Sequence, residues 1–125
     1  MENTQLARAL FDAFAANDTA AAKNLCATDI QAHQNGGASM TLDTLMGFTA
    51  AVHRVVQNFR YEDVVCSMTK TGFVEEHSVR GMLPDGSQLD LAACVVGEVR
   101  DGKIVELREY VDSAKAAGLI KALSS

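Results

Sequence analysis

Lys103-Ile104-Val105-Glu106-Leu107-Arg108-Glu109-Tyr110-Val111-Asp112 is the stretch that decides the fold of this chain: it follows the turn pair Asp101-Gly102 and alternates with a period of two. Its odd positions are Val105, Leu107, Glu109 and Val111, so one face of the strand is apolar except for a single acid. A carboxylate on a core-facing position must be paired, protonated or reached by water, because burying it alone is strongly unfavourable. Glu109 is therefore the first functional candidate.

Upstream the period is also two, through residues 61–71, 73–83 and 88–99, and turn chemistry separates the segments. Pro84-Asp85-Gly86 and Asp101-Gly102 combine the fixed φ of proline with the left-handed freedom of glycine that hairpin loops use. Four strands joined by short turns predict an antiparallel meander. Earlier in the chain the spacing is helical. Residues 5–16 place Leu6, Leu10, Phe11 and Phe14 on one face, with Asn3 or Thr4 to cap the first turn. Asn17-Asp18 ends this helix, and Asp18 can cap a second over residues 19–26. A short strand over 30–35 stops at Gly36-Gly37, and a third helix over 42–58 carries Leu45, Met46, Val52 and Val56 on one side. A fourth helix over 113–123 follows Asp112 or Ser113 as its cap. Helices gathered mainly on one face of an antiparallel sheet make the class α+β, with one domain over residues 1–125.

The loops decide which side chains turn inward. A two-residue Asp101-Gly102 loop pairs Leu91 with Asp112 and Val95 with Arg108, mixing apolar and charged residues on each face. A three-residue Arg100-Asp101-Gly102 loop instead pairs Leu91, Ala93 and Val95 with Val111, Glu109 and Leu107, and is the expected register. The earlier turn leaves two registers open. A two-residue Asp85-Gly86 loop sets Glu76, Ser78 and Arg80 on the face of Glu109, whereas a Pro84-Asp85-Gly86 loop sets Glu75, His77 and Val79 there. Either brings a second ionisable group toward Glu109.

Composition narrows the function classes. With 125 residues at 48% hydrophobic content, the chain can bury about two-thirds of its unfolded surface in one core. A net charge of -5 with scattered Lys and Arg argues against nucleic acid as a partner. No apolar run approaches the ~20 residues of a membrane span, and Met1-Glu2-Asn3-Thr4 lacks the regions of a signal peptide, so a cytoplasmic protein is expected. Cys26, Cys66 and Cys94 form no disulfide framework or zinc pattern and read as small buried hydrophobes. No phosphate loop, dinucleotide fingerprint, nucleophile elbow or His-rich cluster occurs, so no cofactor or metal is expected.

The helix and strand order, together with the ending Ile104-Val105-Glu106-Leu107-Arg108-Glu109-Tyr110-Val111-Asp112, resembles the nuclear transport factor two-like superfamily, in particular its SnoaL-like members. The resemblance implies a cone, a curved antiparallel sheet wrapped around helices in a cystatin-like α+β barrel, with a mostly apolar pocket and homodimers formed through the sheet. Ketosteroid isomerases, polyketide cyclases and limonene epoxide hydrolases share that fold, as do proteins that only bind or dimerise. The Tyr-Gln-Asn of the epoxide hydrolases looks like His33-Gln34-Asn35, and their Arg-Asp-Tyr-Phe-Asp looks like Arg108-Glu109-Tyr110-Val111-Asp112. Their Arg-x-Asp pair falls on Glu76-x-Ser78, where neither residue is kept, and Arg80 stands two positions further on.

These residues predict a cofactor-independent acid/base enzyme of isomerase, cyclase or hydrolase type, acting on a small apolar molecule. Glu109 is the expected acid or base, His33 its proton partner, Asn35 a hydrogen-bond donor to the developing oxyanion, and Glu76 with Arg80 the charge setting. The resemblance puts His77 on the outer face, and His53 reads as a solvated helix position. The competing expectation is a ligand-binding or dimerisation domain that keeps the cone without the chemistry.

Overall fold

The computed structural model describes residues 1–125 as α1 (Asn3–Ala15), α2 (Thr19–Leu25), β1 (Cys26–Gln34), α3 (Leu42–Val55), β2 (Gln57–Met68), β3 (Gly72–Met82), β4 (Gln88–Arg100), β5 (Lys103–Val111) and α4 (Ala117–Leu123). The strands form one sheet in the order β1-β5-β4-β3-β2. β2 to β5 make the expected antiparallel meander. β1 joins it in parallel, with Ala32 opposite Leu107 and Gln34 opposite Glu109, so the sheet is mixed rather than wholly antiparallel. The direction of β5 follows from three reversals after β2, while that of β1 follows from α2 running straight into it at Cys26. The sheet stays open between edges β1 and β2 and does not close as a barrel. Irregularities bend it: two in β2, around Asp63 with φ 55° and near Asn58 with φ 56°, one in the β4–β5 ladder, and one in β1 between Cys26 and Gln31.

The β3–β4 loop takes the three-residue form. Leu83 N–H donates to the Ser87 carbonyl at 2.9 Å across Pro84-Asp85-Gly86, and Gly86 supplies a φ of 86°. Glu75, His77 and Val79 therefore face inward, and Glu76, Ser78 and Arg80 face outward. This overturns the expectation that His77 lies outside.

The β4–β5 loop corrects another expectation. Arg100 pairs with Lys103, leaving a two-residue Asp101-Gly102 loop with φ of 53° and 76°, the two positive angles of a type I′ turn. The mixing of faces that this loop implies is cancelled one step later. Val99 pairs with Ile104 but Glu98 pairs with Glu106, so Val105 is an extra residue that restores the parity. Beyond it, Val95 lies opposite Glu109 and Ala93 opposite Val111, with the apolar residues on one face as expected.

Two clusters make the core. One joins α1, α2 and β1 to Phe73, Val95, Ile104 and Leu107; the other joins Val52 and Val56 to Val79, Leu89, Leu91, Ala116 and Leu119. Phe73 is fully buried, and its ring occupies the space where a Cβ on Gly97 would sit, 2.2 Å away. Helix ends differ slightly from expectation. Glu2 N–H donates to Gln5 Oε1 at 2.9 Å ahead of α1, whereas Asp18 caps α2 through the Ala21 N–H at 3.0 Å as read. α3 ends at Val55, and Asp112 holds the Ala114 N–H at 2.9 Å in a turn preceding α4 rather than capping the helix. No helix is long and apolar enough to cross a membrane.

Candidate functional site

Where the two core clusters part, they leave a cavity of about 210 Å³ whose walls include Phe11 and Phe14 from α1, Phe59 and Tyr61 from β2, and Leu119 from α4. A second space of about 200 Å³ continues beneath Phe48 toward Ala32 and Leu107. Glu109 lines both. It is half-buried, and in the larger space it is the sole charged side chain on the wall. The parallel pairing of β1 with β5 sets Gln34 beside it, and Gln34 Nε2 donates to Glu109 Oε1 at 2.8 Å. A neutral amide is thus its partner where a cation was expected.

The other expected site residues divide between cavity and surface. Asn35 reaches the cavity wall, but its side chain is already engaged: Oδ1 accepts from the Val111 N–H at 2.9 Å, and Nδ2 donates to Ser113 Oγ at 3.3 Å. Its backbone, at φ 51°, donates from N–H to the Glu109 carbonyl at 2.8 Å. The residue clips the end of β1 to the end of β5. His33 lines the smaller space, and its Nδ1 lies 2.9 Å from the Gly37 carbonyl in the following loop. Glu76 is exposed on the outer face of β3. Arg80, on the same face, pairs with Glu62 at 3.3 Å, Asp63 at 2.9 Å and Asp90 at 3.2 Å. The three-residue loop after β3 separates both from Glu109, so the expected pairing of Arg80 with Glu109 is not formed.

The inward pair on β3 is Glu75-x-His77, and α1 supplies the guanidinium. Arg8 Nη1 donates to Glu75 Oε1 at 2.7 Å, and His77 Nδ1 lies 2.6 Å from Glu75 Oε2. Both β3 side chains are wholly enclosed, and His77 Nε2 has no protein partner. His77 packs against the Tyr61 ring at 4.4 Å between centroids and meets Phe11 edge-on at 4.8 Å. The array thus stands directly behind the aromatic wall. Tyr61 is held firmly as the neutral phenol: burial pushes its pKa up, and the charges of Glu109 and Glu75 push it further, against Arg8.

Gln34, Tyr61 and Arg8 had no role assigned from sequence, and Glu75 with His77 appeared only in one of two open registers. Pro84 was the signal that separated them, since a proline in the loop suits the three-residue form found here. His53 is half-buried rather than solvated, with Nε2 at 2.8 Å from the Phe14 carbonyl and its ring edge-on to Phe59. The cysteines are free, and burial pushes the Cys26 thiol up to about 11, which keeps it protonated and unreactive.

This architecture has solved counterparts. A candidate polyketide cyclase from Pseudomonas putida KT2440 superposes with a TM-score of 0.78 at 22% identity, covering 98% of each chain. PrhC from Penicillium brasilianum gives 0.82 at 11% identity over 96% of this chain and 86% of its own. An LEH-like epoxide hydrolase from Mycobacterium tuberculosis gives 0.74 at 17% identity over 98% and 92%. No curated protein matches in sequence. At these identities the likeness is one of fold. A family model described as the SnoaL-like domain matches residues 7–107, from α1 through most of β5, and the chain belongs to that SnoaL-like family.

Proposed function

We propose that the protein is a cofactor-independent, cytoplasmic enzyme that moves a proton on a small, largely apolar molecule held beside Glu109, in the manner of an isomerase, cyclase or hydrolase. The observation that carries this reading is the half-buried carboxyl of Glu109 on the wall of an apolar cavity with only Gln34 donating to it. A carboxylate so placed can take a proton from a bound molecule, with Gln34 fixing its orientation. Tyr61 stands on the same wall, and its raised pKa keeps its O–H available as a donor to a substrate oxygen. His33 and Asn35 support the loop around this site rather than the proton transfer.

The test is turnover of a panel of lipophilic carbonyl compounds and epoxides by the wild type and Glu109→Gln. The expected result is a loss of turnover of about 10²- to 10⁴-fold in the variant, with these uncharged panel compounds still bound. Binding without turnover by the wild type would instead support a ligand-binding domain. That second reading draws on Asn35, whose side chain is consumed by Val111 and Ser113.

We assign the outer face of the sheet as a homodimer surface on similar grounds. Val65 and Tyr110 are exposed there around half-buried Val74, Cys94 and Val96, and the Arg80–Asp90 and Arg108–Glu98 pairs flank them.

A further inference from the structure

We infer that the molecule this cavity selects carries a positive charge: a lipophilic tertiary or quaternary ammonium, its cationic nitrogen against Glu109 and its apolar body among the aromatic rings. The inference rests on the reading of this cavity as the ligand site and names the chemistry of what fills it.

Aromatic residues are scarce in the chain, five Phe and two Tyr with no Trp. Phe11, Phe14, Phe48, Phe59 and Tyr61 nonetheless all line the one cavity. Phe11 meets Phe14 and Tyr61 edge-on at 5.7 and 5.4 Å, and Phe59 meets Tyr61 at 5.2 Å, so the rings of Phe11, Phe14, Phe59 and Tyr61 form one continuous wall. Ring faces attract cations, and more strongly where water is excluded.

The charge on the walls has one sign. Glu109 is the sole charged side chain of the larger space, and Gln34 satisfies only its Oε1. The Arg8 charge behind the wall is engaged by Glu75 at 2.7 Å and lies 3.8 Å from Asp12. Burial is the main force holding the Tyr61 hydroxyl protonated, and beyond it the field of the acids Glu109 and Glu75 hinders its ionisation while Arg8 opposes them. Such a field disfavours an anionic ligand and stabilises a cationic one. A neutral ligand would leave the second Glu109 oxygen dependent on water at the cavity wall, whereas an ammonium places its charge on that oxygen and its carbon on the rings.

The experiment compares benzyltrimethylammonium, whose charge does not titrate, with neopentylbenzene, its uncharged isostere. Both are titrated into the wild type and Glu109→Gln, with binding read from shifts of the Phe and Tyr61 ring resonances. The expected result is at least about tenfold tighter binding of the cation by the wild type, a preference that collapses in Glu109→Gln and weakens with added salt. General attraction to the acidic surface would survive that single substitution, so a preference that persists in the variant overturns the inference. Equal or tighter binding of neopentylbenzene also overturns it while leaving an apolar ligand site intact. Binding of neither compound removes both the cationic ligand and the cavity as the site of the proposed chemistry.

Discussion

Glu75 is buried without exposed surface, yet it stands between a guanidinium and an imidazole that use both of its oxygens. Removing one partner leaves an uncompensated charge in the core, so Arg8→Met should lower unfolding free energy by about 3 kcal/mol in a urea titration. Replacing all three groups, as Arg8→Met, Glu75→Leu and His77→Phe together, should recover most of that loss, because an apolar set no longer strands a charge. Glu98 offers a pH-dependent case on the outer face. Hydrogen bonds from Thr71 and Arg108 depress its folded pKa, so its contribution is present above the unfolded value and is lost as pH falls through the folded one. Glu98→Gln should accordingly lower Tm at neutral pH and match the wild type once the medium is more acidic than the glutamate range. Glu109 was legible as an inward acid from alternation alone, since Leu107 and Val111 frame it. Its neighbours were not: Gln34 meets it through a parallel pairing, and Arg8 arrives from a helix some seventy residues before β3, two contacts that no local period encodes.

Strands and hairpins extend the same lesson to elements. Sequence alternation located β2 to β5 and the inward positions of Leu107, Glu109 and Val111, but at the start of β5 the inward residue is the fully buried Ile104 and not Val105, because the bulge at Val105 undoes there what the alternation implies. The helical spacing of Leu6, Leu10, Phe11 and Phe14 identified α1 because tertiary packing uses that same face. The contact of Phe73 with Gly97 is a feature of two paired strands that neither reveals alone. Gly97→Ala should destabilise the protein by about 2 kcal/mol in the same urea assay, because the fully buried ring cannot retreat from a Cβ at 2.2 Å. A deletion of aromatic bulk, Phe73→Leu, combined with Gly97→Ala should cost less than the sum of the two changes, since they relieve one another.

For the whole molecule, the division of the core into two clusters leaves a cavity, proposed above as a ligand site, and the outer sheet face is the surface proposed for a second copy. Sedimentation velocity should report twice the 13.3 kDa chain mass, and Val96→Arg at the centre of that face should yield the monomer with its thermal unfolding little changed. The unpaired Val105 has a consequence for how such chains change length over time. A deletion within a regular strand inverts every side chain beyond it, and here would turn Glu109 outward, put Tyr110 in its place and bring Arg108 to the inward position of Leu107. Loss of Val105 itself would leave Ile104 opposite Val99 and Glu106 opposite Glu98, so the strand could shed one residue while its inner and outer faces keep their identities. The bulge is therefore a place where the gene can lose a codon without rewriting the chemistry downstream.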